Sequence, residues 1–281
     1  MMANFMIRSS VPALVAMLMI FNNAYSWGRF GGHHSFNGDP EARAAKIVEK
    51  MTEDLTLDTV QQQTLQEMKQ ELLEKHKLLK PDRELIFDKL MAETGKETFD
   101  KAVFYLMIDE QTAKMKLESG FFAEKLVQFH QMLRYDQREI VKDHLLNIKT
   151  RHEERKNGWF YKTPDERADQ ILGMVSDRLE LTEEQFEQFK VIRTSLMAAR
   201  QQYMNEDFMM SVGQQLTDLF AQESVEVVTI QNTMNNMISR MENMLKKVVD
   251  NYAAAHAVLT IEQRQMIVEQ MQKHHQHRAK R

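Results

Sequence analysis

Apolar residues recur at intervals of three and four over long stretches of the chain, which is the period of an amphipathic helix. A stripe of this length has to be covered by other helices, so the pattern predicts antiparallel or crossed packing of long helices. The clearest stripe consists of Ile230, Met234, Met237, Met241, Met244, Val248, Tyr252 and Ala255. An earlier stripe, with two polar interruptions, consists of Phe104, Ile108, Gln111, Met115, Glu118, Phe122, Leu126 and Phe129.

Capping residues and helix breakers place the boundaries of the predicted helices. The chain has 4 prolines and 9 glycines in 281 residues and is rich in residues that favour helices, which predicts an all-α fold. In the first part of the chain the predicted helices run from Pro40 to about Asp54, from Leu57 to about Lys80, briefly after Pro81, from about Lys96 to Leu133, and after Tyr135. The same series is predicted from Pro164 to about Lys273, beyond a junction at Asn157-Gly158.

The two series are related by an internal repeat. A shift of 124 positions matches Pro40 with Pro164, Leu57 with Leu181 and Gln61 with Gln185. Beyond about Glu97 the shift is 126, and it matches Leu133 with Leu259, Gln137 with Gln263 and Arg138 with Arg264. We therefore predict two tandem copies of one helical unit, at residues 39–156 and 157–273.

A short motif, L-T-x-x-Q, opens two predicted helices in each copy. It is intact at Leu181, Thr182 and Gln185 and at Leu259, Thr260 and Gln263. The first copy has degenerate versions at Leu57 to Gln61 and at Leu133 to Gln137. Threonine is a good N-cap, the preceding leucine can staple the entering chain, and glutamine can reach back to the cap. The motif therefore predicts helix starts with a structural role.

Four such motifs, two in each copy, resemble the Spy and CpxP family of bacterial periplasmic proteins. The resemblance covers about residues 40–152 once and 164–275 again, and Thr98 to Lys101 also looks like the family's sequence there. It implies thin, curved four-helix units that dimerise into a cradle and act as ATP-independent chaperones or as stress sensors. Because this chain carries two copies, we expect a covalent pseudo-dimer, with further homodimerisation as the alternative.

The first 26 residues have the pattern of a cleaved secretory signal peptide. Arg8 provides the positive charge, the run from Val11 to Phe21 is apolar, and Ala24-Tyr25-Ser26 suits signal peptidase. A retained membrane anchor is the alternative, but Asn22 and Asn23 interrupt the run. Cleavage predicts a periplasmic protein that starts with a flexible segment containing Gly and His at 27–38 and ends in a basic His-containing tail at 274–281. No later stretch is apolar enough to span a bilayer.

The amino-acid composition limits the classes of partner that are expected. The formal net charge of −4 argues against general affinity for nucleic acid, and the absence of cysteine excludes disulfides and thiolate metal sites. Methionine is abundant, at 22 residues, and its flexible side chain suits binding of varied partners. Such a client-binding surface competes with the simpler interpretation that these residues belong to the helix core. The candidates are Phe104, Tyr105, Met107, Met204, Phe208, Met209 and Met210.

Histidines near both termini raise a metal hypothesis. His33, His34, His274, His275 and His277 could bind Zn²⁺, Ni²⁺ or Cu²⁺, although a terminal tail rarely builds a closed site, so weak binding is expected at most. Thioether clusters could in principle hold Cu(I). We predict no resident cofactor. The remaining histidines are expected to be ordinary helix-surface groups: His76, His130, His144, His152 and His256.

No catalytic signature is present, since the chain lacks a Gly-rich phosphate loop, an H-E-x-x-H motif and a G-x-S-x-G elbow, so we do not expect an enzyme. The leading hypothesis is a periplasmic chaperone for unfolded or aggregation-prone envelope proteins under envelope stress. The alternative is a metal-binding or regulatory accessory protein that contacts the periplasmic domain of a sensor kinase, and a purely structural coiled-coil linker is the third. Degenerate motifs in the first copy predict an asymmetric cradle.

Overall fold

The described residues form α-helices joined by short loops, as predicted, and no strand forms within them. The computed structural model describes residues 40–79, 81–156 and 162–279, which we call the first half (40–156) and the second half (162–279). In these residues ten helices follow one another: α1 (Pro40–Asp54), α2 (Thr59–Leu79), α3 (Arg83–Thr94), α4 (Lys101–Met132), α5 (Tyr135–Lys156), α6 (Pro164–Leu179), α7 (Glu183–Tyr203), α8 (Glu206–Ala221), α9 (Val227–Val258) and α10 (Ile261–Ala279).

Two predicted boundaries differ from the structure by more than two residues: the last helix runs to Ala279 and not to about Lys273, and α4 starts later than predicted. The sequence predicts a start near Lys96, but the helix begins at Lys101 because Asp100 caps it, accepting a hydrogen bond from the backbone N–H of Ala102. The preceding turn is held by Glu93, whose carboxylate accepts hydrogen bonds from Lys96 Nζ at 2.5 Å and from the backbone N–H of Asp100 at 3.2 Å. These contacts replace the helical hydrogen bonds that an earlier start would make.

The two long helices, α4 and α9, form the centre of the molecule. They run antiparallel, since Lys101 contacts Asp250 near one end of the pair and Lys116 contacts Glu242 near the middle. Helix α2 packs on α4 and α1 on α2, while α7 packs on α9 and α6 on α7. The short helices cross to the other half, because α3 packs on α10 and α8 packs on α5. Each half thus contacts the other through its middle and its last helices.

The predicted stripe of α9 forms much of the core. Seven of its eight residues are buried and Tyr252 is half-buried, while the stripe of α4 is buried except at Ile108, Gln111 and Glu118, which are half-buried. The largest apolar cluster includes Phe122, Phe129 and Phe220, which are at most 1 % exposed. None of the described helices has a stretch that is both long and apolar enough to span a bilayer.

Among the described residues, two that are not glycine have a left-handed backbone, and they occupy corresponding positions. Thr56 (φ 49°) follows α1, and Glu180 (φ 50°), 124 positions later, caps the end of α6. A left-handed residue commonly ends a helix, but it is usually glycine, since a Cβ atom is strained there. We expect Thr56→Gly to raise the free energy of unfolding by about 1 kcal/mol, because β-branched residues are the most strained in this conformation.

Chemical denaturation of the two proteins checks this prediction. Thr52→Gly, which makes the same substitution inside α1, is the matched control and is expected to lower the free energy of unfolding by about 0.4 kcal/mol. Equal destabilisation by both substitutions would contradict the strain argument.

Candidate functional site: paired glutamines, cross-half contacts and a methionine-rich corner

The four motif glutamines all reach back to their own helix starts, as the motif predicts. Gln185 Oε1 accepts a hydrogen bond from the backbone N–H of Thr182 at 3.1 Å, and Thr182 Oγ1 accepts one from the backbone N–H of Gln185 at 3.2 Å. The same box forms between Thr260 and Gln263. In the degenerate motifs the backbone N–H groups of Asp58 and Arg134 donate to Gln61 and Gln137.

The glutamines also pair with one another, which the motif alone does not indicate. Gln61 and Gln137 exchange amide hydrogen bonds of 2.8 and 3.1 Å, and Gln185 and Gln263 exchange bonds of 2.8 and 3.0 Å. Each side-chain amide also donates to a backbone carbonyl at the end of the helix that precedes its partner's helix, where carbonyls lack helical hydrogen bonds. These carbonyl acceptors are Met132 for Gln61, Leu55 for Gln137, Val258 for Gln185 and Leu179 for Gln263.

Each glutamine pair therefore fastens two helix starts together within one half of the chain. The first pair joins the start of α2 to the start of α5, and the second joins α7 to α10. All four side chains are buried, between 0 and 9 % exposed, so the amides need the partners that they have. A closed polar network of this kind allows little displacement of one helix start against the other.

The second half holds the loop between α3 and α4 of the first half. His256 Nε2 donates to the carbonyl of Thr94 at 3.2 Å, and the Arg264 guanidinium donates to the carbonyls of Lys96 and Glu97 at 2.7 and 2.8 Å. Tyr252 hydrogen bonds to Thr94 Oγ1 through its hydroxyl at 2.6 Å. Polar and aromatic contacts thus anchor this loop, which we call the α3–α4 junction.

The first half holds the loop between α8 and α9 of the second half in a corresponding way. His130 Nε2 donates to the carbonyl of Gln222 at 3.1 Å, and Arg138 donates to the carbonyl of Glu223 at 3.3 Å. His130 and Arg138 correspond to His256 and Arg264 at a shift of 126. We call this loop contact the α8–α9 junction. It has fewer hydrogen bonds, since His130 Nδ1 and Arg138 Nε are buried without partners among the described residues.

The prediction that the mid-chain histidines are surface groups is wrong for His130 and His256, which are 0 and 3 % exposed. Burial, reinforced by the neighbouring charge of Arg138, lowers the pKa of His130, and burial with the charge of Arg264 lowers the pKa of His256. The correspondence between Arg138 and Arg264 is visible in the sequence, but the loop each contacts is more than 80 positions away in the other half.

The three client-binding candidates of the first half lie at the beginning of α4. Phe104 is 3 % exposed and packs in a cluster with Leu90 and Val249, so in this structure it is a core residue. Tyr105 is half-buried and donates its hydroxyl hydrogen to Asp250 Oδ1 at 2.5 Å. Met107 is half-buried.

The candidates of the second half lie together at the turn between α7 and α8. We call this region the methionine corner: Tyr203, Met204, Phe208, Met209 and Met210, all half-buried. The guanidinium of Arg240 lies 4.1 Å from the centre of the Phe208 ring and donates to the carbonyl of Tyr203 at 3.2 Å. The corner is therefore fixed to α9 by a cation–π contact and a hydrogen bond.

The two groups of candidates pack near the same turn of α9, in two separate clusters. Met204 packs against the cluster that contains Val248, and Tyr105 packs against the cluster that contains Val249, the next residue of the helix. The structure therefore brings the methionine corner and the beginning of α4 to one stretch of α9. No contact joins Met107, Met209 or Met210 to either cluster in the described residues.

Two exposed leucines on α4 add apolar surface that the sequence analysis did not single out. Leu106 and Leu117 are 61 and 81 % exposed, and their spacing of eleven residues puts them on one face of the helix. The corresponding residues of α9 are Asn232 and Asn243, which are also exposed. The outer faces of the two central helices therefore differ in polarity.

The metal candidates stay untested. His33 and His34 lie outside the described residues, as does the predicted signal peptide, and the structure describes only the backbone of His274, His275 and His277, within α10. Among the described residues no three His, Asp or Glu side chains are grouped so that they could hold a metal ion.

Comparisons with known proteins assign the chain to no family. No protein-family model, curated protein or solved structure matches the chain. Its own residues define an all-helical protein with two long central helices. In each half, a pair of glutamines joins the starts of two other helices.

Proposed function

We propose that the chain is an exported, ATP-independent chaperone that binds unfolded or aggregation-prone envelope proteins in the periplasm. The methionine corner carries this proposal, because five neighbouring apolar or aromatic residues are each only half-buried there. Methionine and aromatic side chains offer a polarisable surface that adapts to many partners. Leu106 and Leu117 on α4 are separate exposed apolar side chains that a client could also contact.

Charged side chains occur both at the methionine corner and between the central helices. Arg240 lies over Phe208, and Lys101, Asp250, Asp109 and Lys246 form ion pairs between α4 and α9. Scattered charges of both signs favour encounter with clients of either sign and add little to affinity. Apolar contact is not directional, so a client that is bound in this way remains free to rearrange and fold.

We also propose that the two halves together form a cradle-like pseudo-dimer. The α3–α4 junction and the α8–α9 junction support this arrangement, since each half holds the corresponding loop of the other. The glutamine pairs would then keep the outer helices of each half at a constant angle to the central pair. The unequal contacts of the two junctions favour an asymmetric cradle, in which the first half holds the second less firmly.

Suppression of client aggregation tests the proposed function. The purified protein without residues 1–26 is expected to reduce, at equimolar ratio and without nucleotide, the light scattering of several unrelated clients that are heated or diluted from denaturant. Scattering that is unchanged for all of these clients would contradict the proposal.

A double substitution tests the methionine corner itself. Met209→Gln/Met210→Gln is expected to raise, by about threefold, the ratio of protein to client that is needed for half-suppression, because burying an amide against a client costs about 1 kcal/mol or more. Met174→Gln on α6 is the matched control, since Met174 is 38 % exposed and lies on a helix away from the corner. If the control and the double substitution have equal effects, the methionine corner is not the surface that binds clients.

A further inference from the structure

Near the middle of the central helix pair, residues at corresponding positions of the internal repeat contact each other. Lys116 and Glu242 are related by the shift of 126, and their side chains form an ion pair of 2.8 Å. Met115 and Met241, which are related in the same way, pack in one cluster with Ile238 and Leu245. If two identical helices paired in this register, each of these residues would meet a copy of itself.

The charges at this point are complementary only between the two different helices. Glu242 accepts hydrogen bonds from Lys116 at 2.8 Å and from Lys246 at 3.0 Å, and Lys246 also pairs with Asp109. Burial acts to raise the pKa of Glu242, but the hydrogen bonds from Lys116 and Lys246 outweigh it and hold this pKa below its ordinary value. Two copies of α4 would instead place Lys116 against Lys116, and two copies of α9 would place Glu242 against Glu242.

The volumes of the buried side chains are also complementary only between α4 and α9. Thr112 and Ser119 of α4 are buried along the same contact as Ile238 and Leu245 of α9, and Ser119 Oγ accepts a hydrogen bond from Gln231 Nε2 of α9 at 3.3 Å. Thr112, Ser119, Ile238 and Leu245 are at most 8 % exposed. The contact thus combines small polar residues of α4 with large apolar residues of α9. Two copies of α4 would bring only the small residues together and leave voids, and two copies of α9 would bring only the large ones together and crowd the contact.

We propose that the facing surfaces of α4 and α9 form a heterotypic recognition surface, whose partner is the other central helix of the same chain and not a second copy of the same helix. Charge and side-chain volume each disfavour the pairing of two identical helices, and they act at neighbouring positions, so the two effects reinforce each other.

Exchanging the central charges in the full chain tests the proposal. Lys116→Glu and Glu242→Lys are each expected to lower the Tm by about 3 °C, because each sets like charges side by side. The double variant Lys116→Glu/Glu242→Lys is expected to recover at least half of the summed loss. Lys114→Glu, the same change at an exposed position of α4, is the control and is expected to leave the Tm within about 1 °C.

A volume exchange tests the buried side of the surface. Thr112→Leu and Leu245→Thr are each expected to lower the Tm by about 5 °C. The combined variant is expected to lose less Tm than the sum of the two single losses. Ala113→Leu, at an exposed position of the same helix, is expected to have little effect. Strictly additive losses in both exchanges would overturn the proposal.

Cross-linking separates pairing within one chain from pairing between chains, since the natural chain has no cysteine. With a short bis-maleimide linker, Lys116→Cys/Glu242→Cys is expected to give a product of single-chain mass, and Lys116→Cys alone is expected to stay monomeric. A two-chain product from either variant at micromolar concentration would overturn the proposal.

Discussion

Gln137→Leu is expected to lower the free energy of unfolding by about 3 kcal/mol, although leucine is apolar and similar in size. Gln137 is fully buried and exchanges hydrogen bonds with Gln61, and it also donates to the carbonyl of Leu55. Removing it takes one donor and one acceptor partner from the buried Gln61 amide, and it leaves the Leu55 carbonyl and the backbone N–H of Arg134 without the glutamine that they contact. A buried polar group that loses its partner costs about 1–3 kcal/mol.

Urea denaturation measures this loss, and a double substitution identifies its cause. Gln61→Leu/Gln137→Leu removes both side-chain amides, so its loss is expected to be clearly smaller than the sum of the two single losses. Gln131→Leu, at an exposed position near the end of α4, is the control and is expected to change the free energy of unfolding by less than about 0.5 kcal/mol. Additive single losses would show that the two amides act independently.

Acidification from pH 7 to pH 5 is expected to destabilise the folded chain through His130 and His256. Burial lowers the pKa of both imidazoles in the folded state. The unfolded chain therefore takes up protons first as the pH falls below about 6.5, and stability declines until the pH passes the folded pKa of each histidine. Each histidine can contribute up to about 1.4 kcal/mol per pH unit in this window.

Burial and the neighbouring arginine disfavour protonation of each histidine, and the surrounding carbonyls, with Glu93 beside His256, oppose this effect only in part. His130 faces the cation of Arg138, the carbonyls of Gln222 and Leu219, and the Phe220 ring. His256 faces Arg264, the backbone of Thr94 and Lys96, and the Phe99 ring, with Glu93 as the nearby anion. Because both histidines hold loops of the opposite half, we expect acid to weaken the α3–α4 and α8–α9 junctions.

Denaturation series at several pH values test this expectation. His130→Gln/His256→Gln is expected to flatten the decline between pH 7 and pH 5 while still donating to the loop carbonyls. Hydrogen bonds and ion pairs lower the pKa of carboxylates such as Glu242 and Asp250, so their contribution is lost at more acidic pH, below about 4.5. An unchanged decline in the double variant would show that other groups carry the pH dependence.

The sequence alone was sufficient for the helices and for part of the core. Helical periodicity predicted the buried stripe of α9, and the L-T-x-x-Q motif predicted the back-bonded starts of α7 and α10. These features depend on residues within a few positions of one another, where spacing determines contact. The start of α4 was placed too early because a carboxylate one turn upstream, Glu93, holds the loop.

What only the tertiary structure decided is which distant residues meet. The pairing of Gln61 with Gln137, the burial of His130 and His256 against loops of the other half, and the ion pair of Lys116 with Glu242 each join residues at least 76 positions apart. Periodicity and capping describe one helix at a time, so they indicate that a face is covered but not which helix covers it. That choice depends on charge and volume matching between helices, which exists only once the chain has folded.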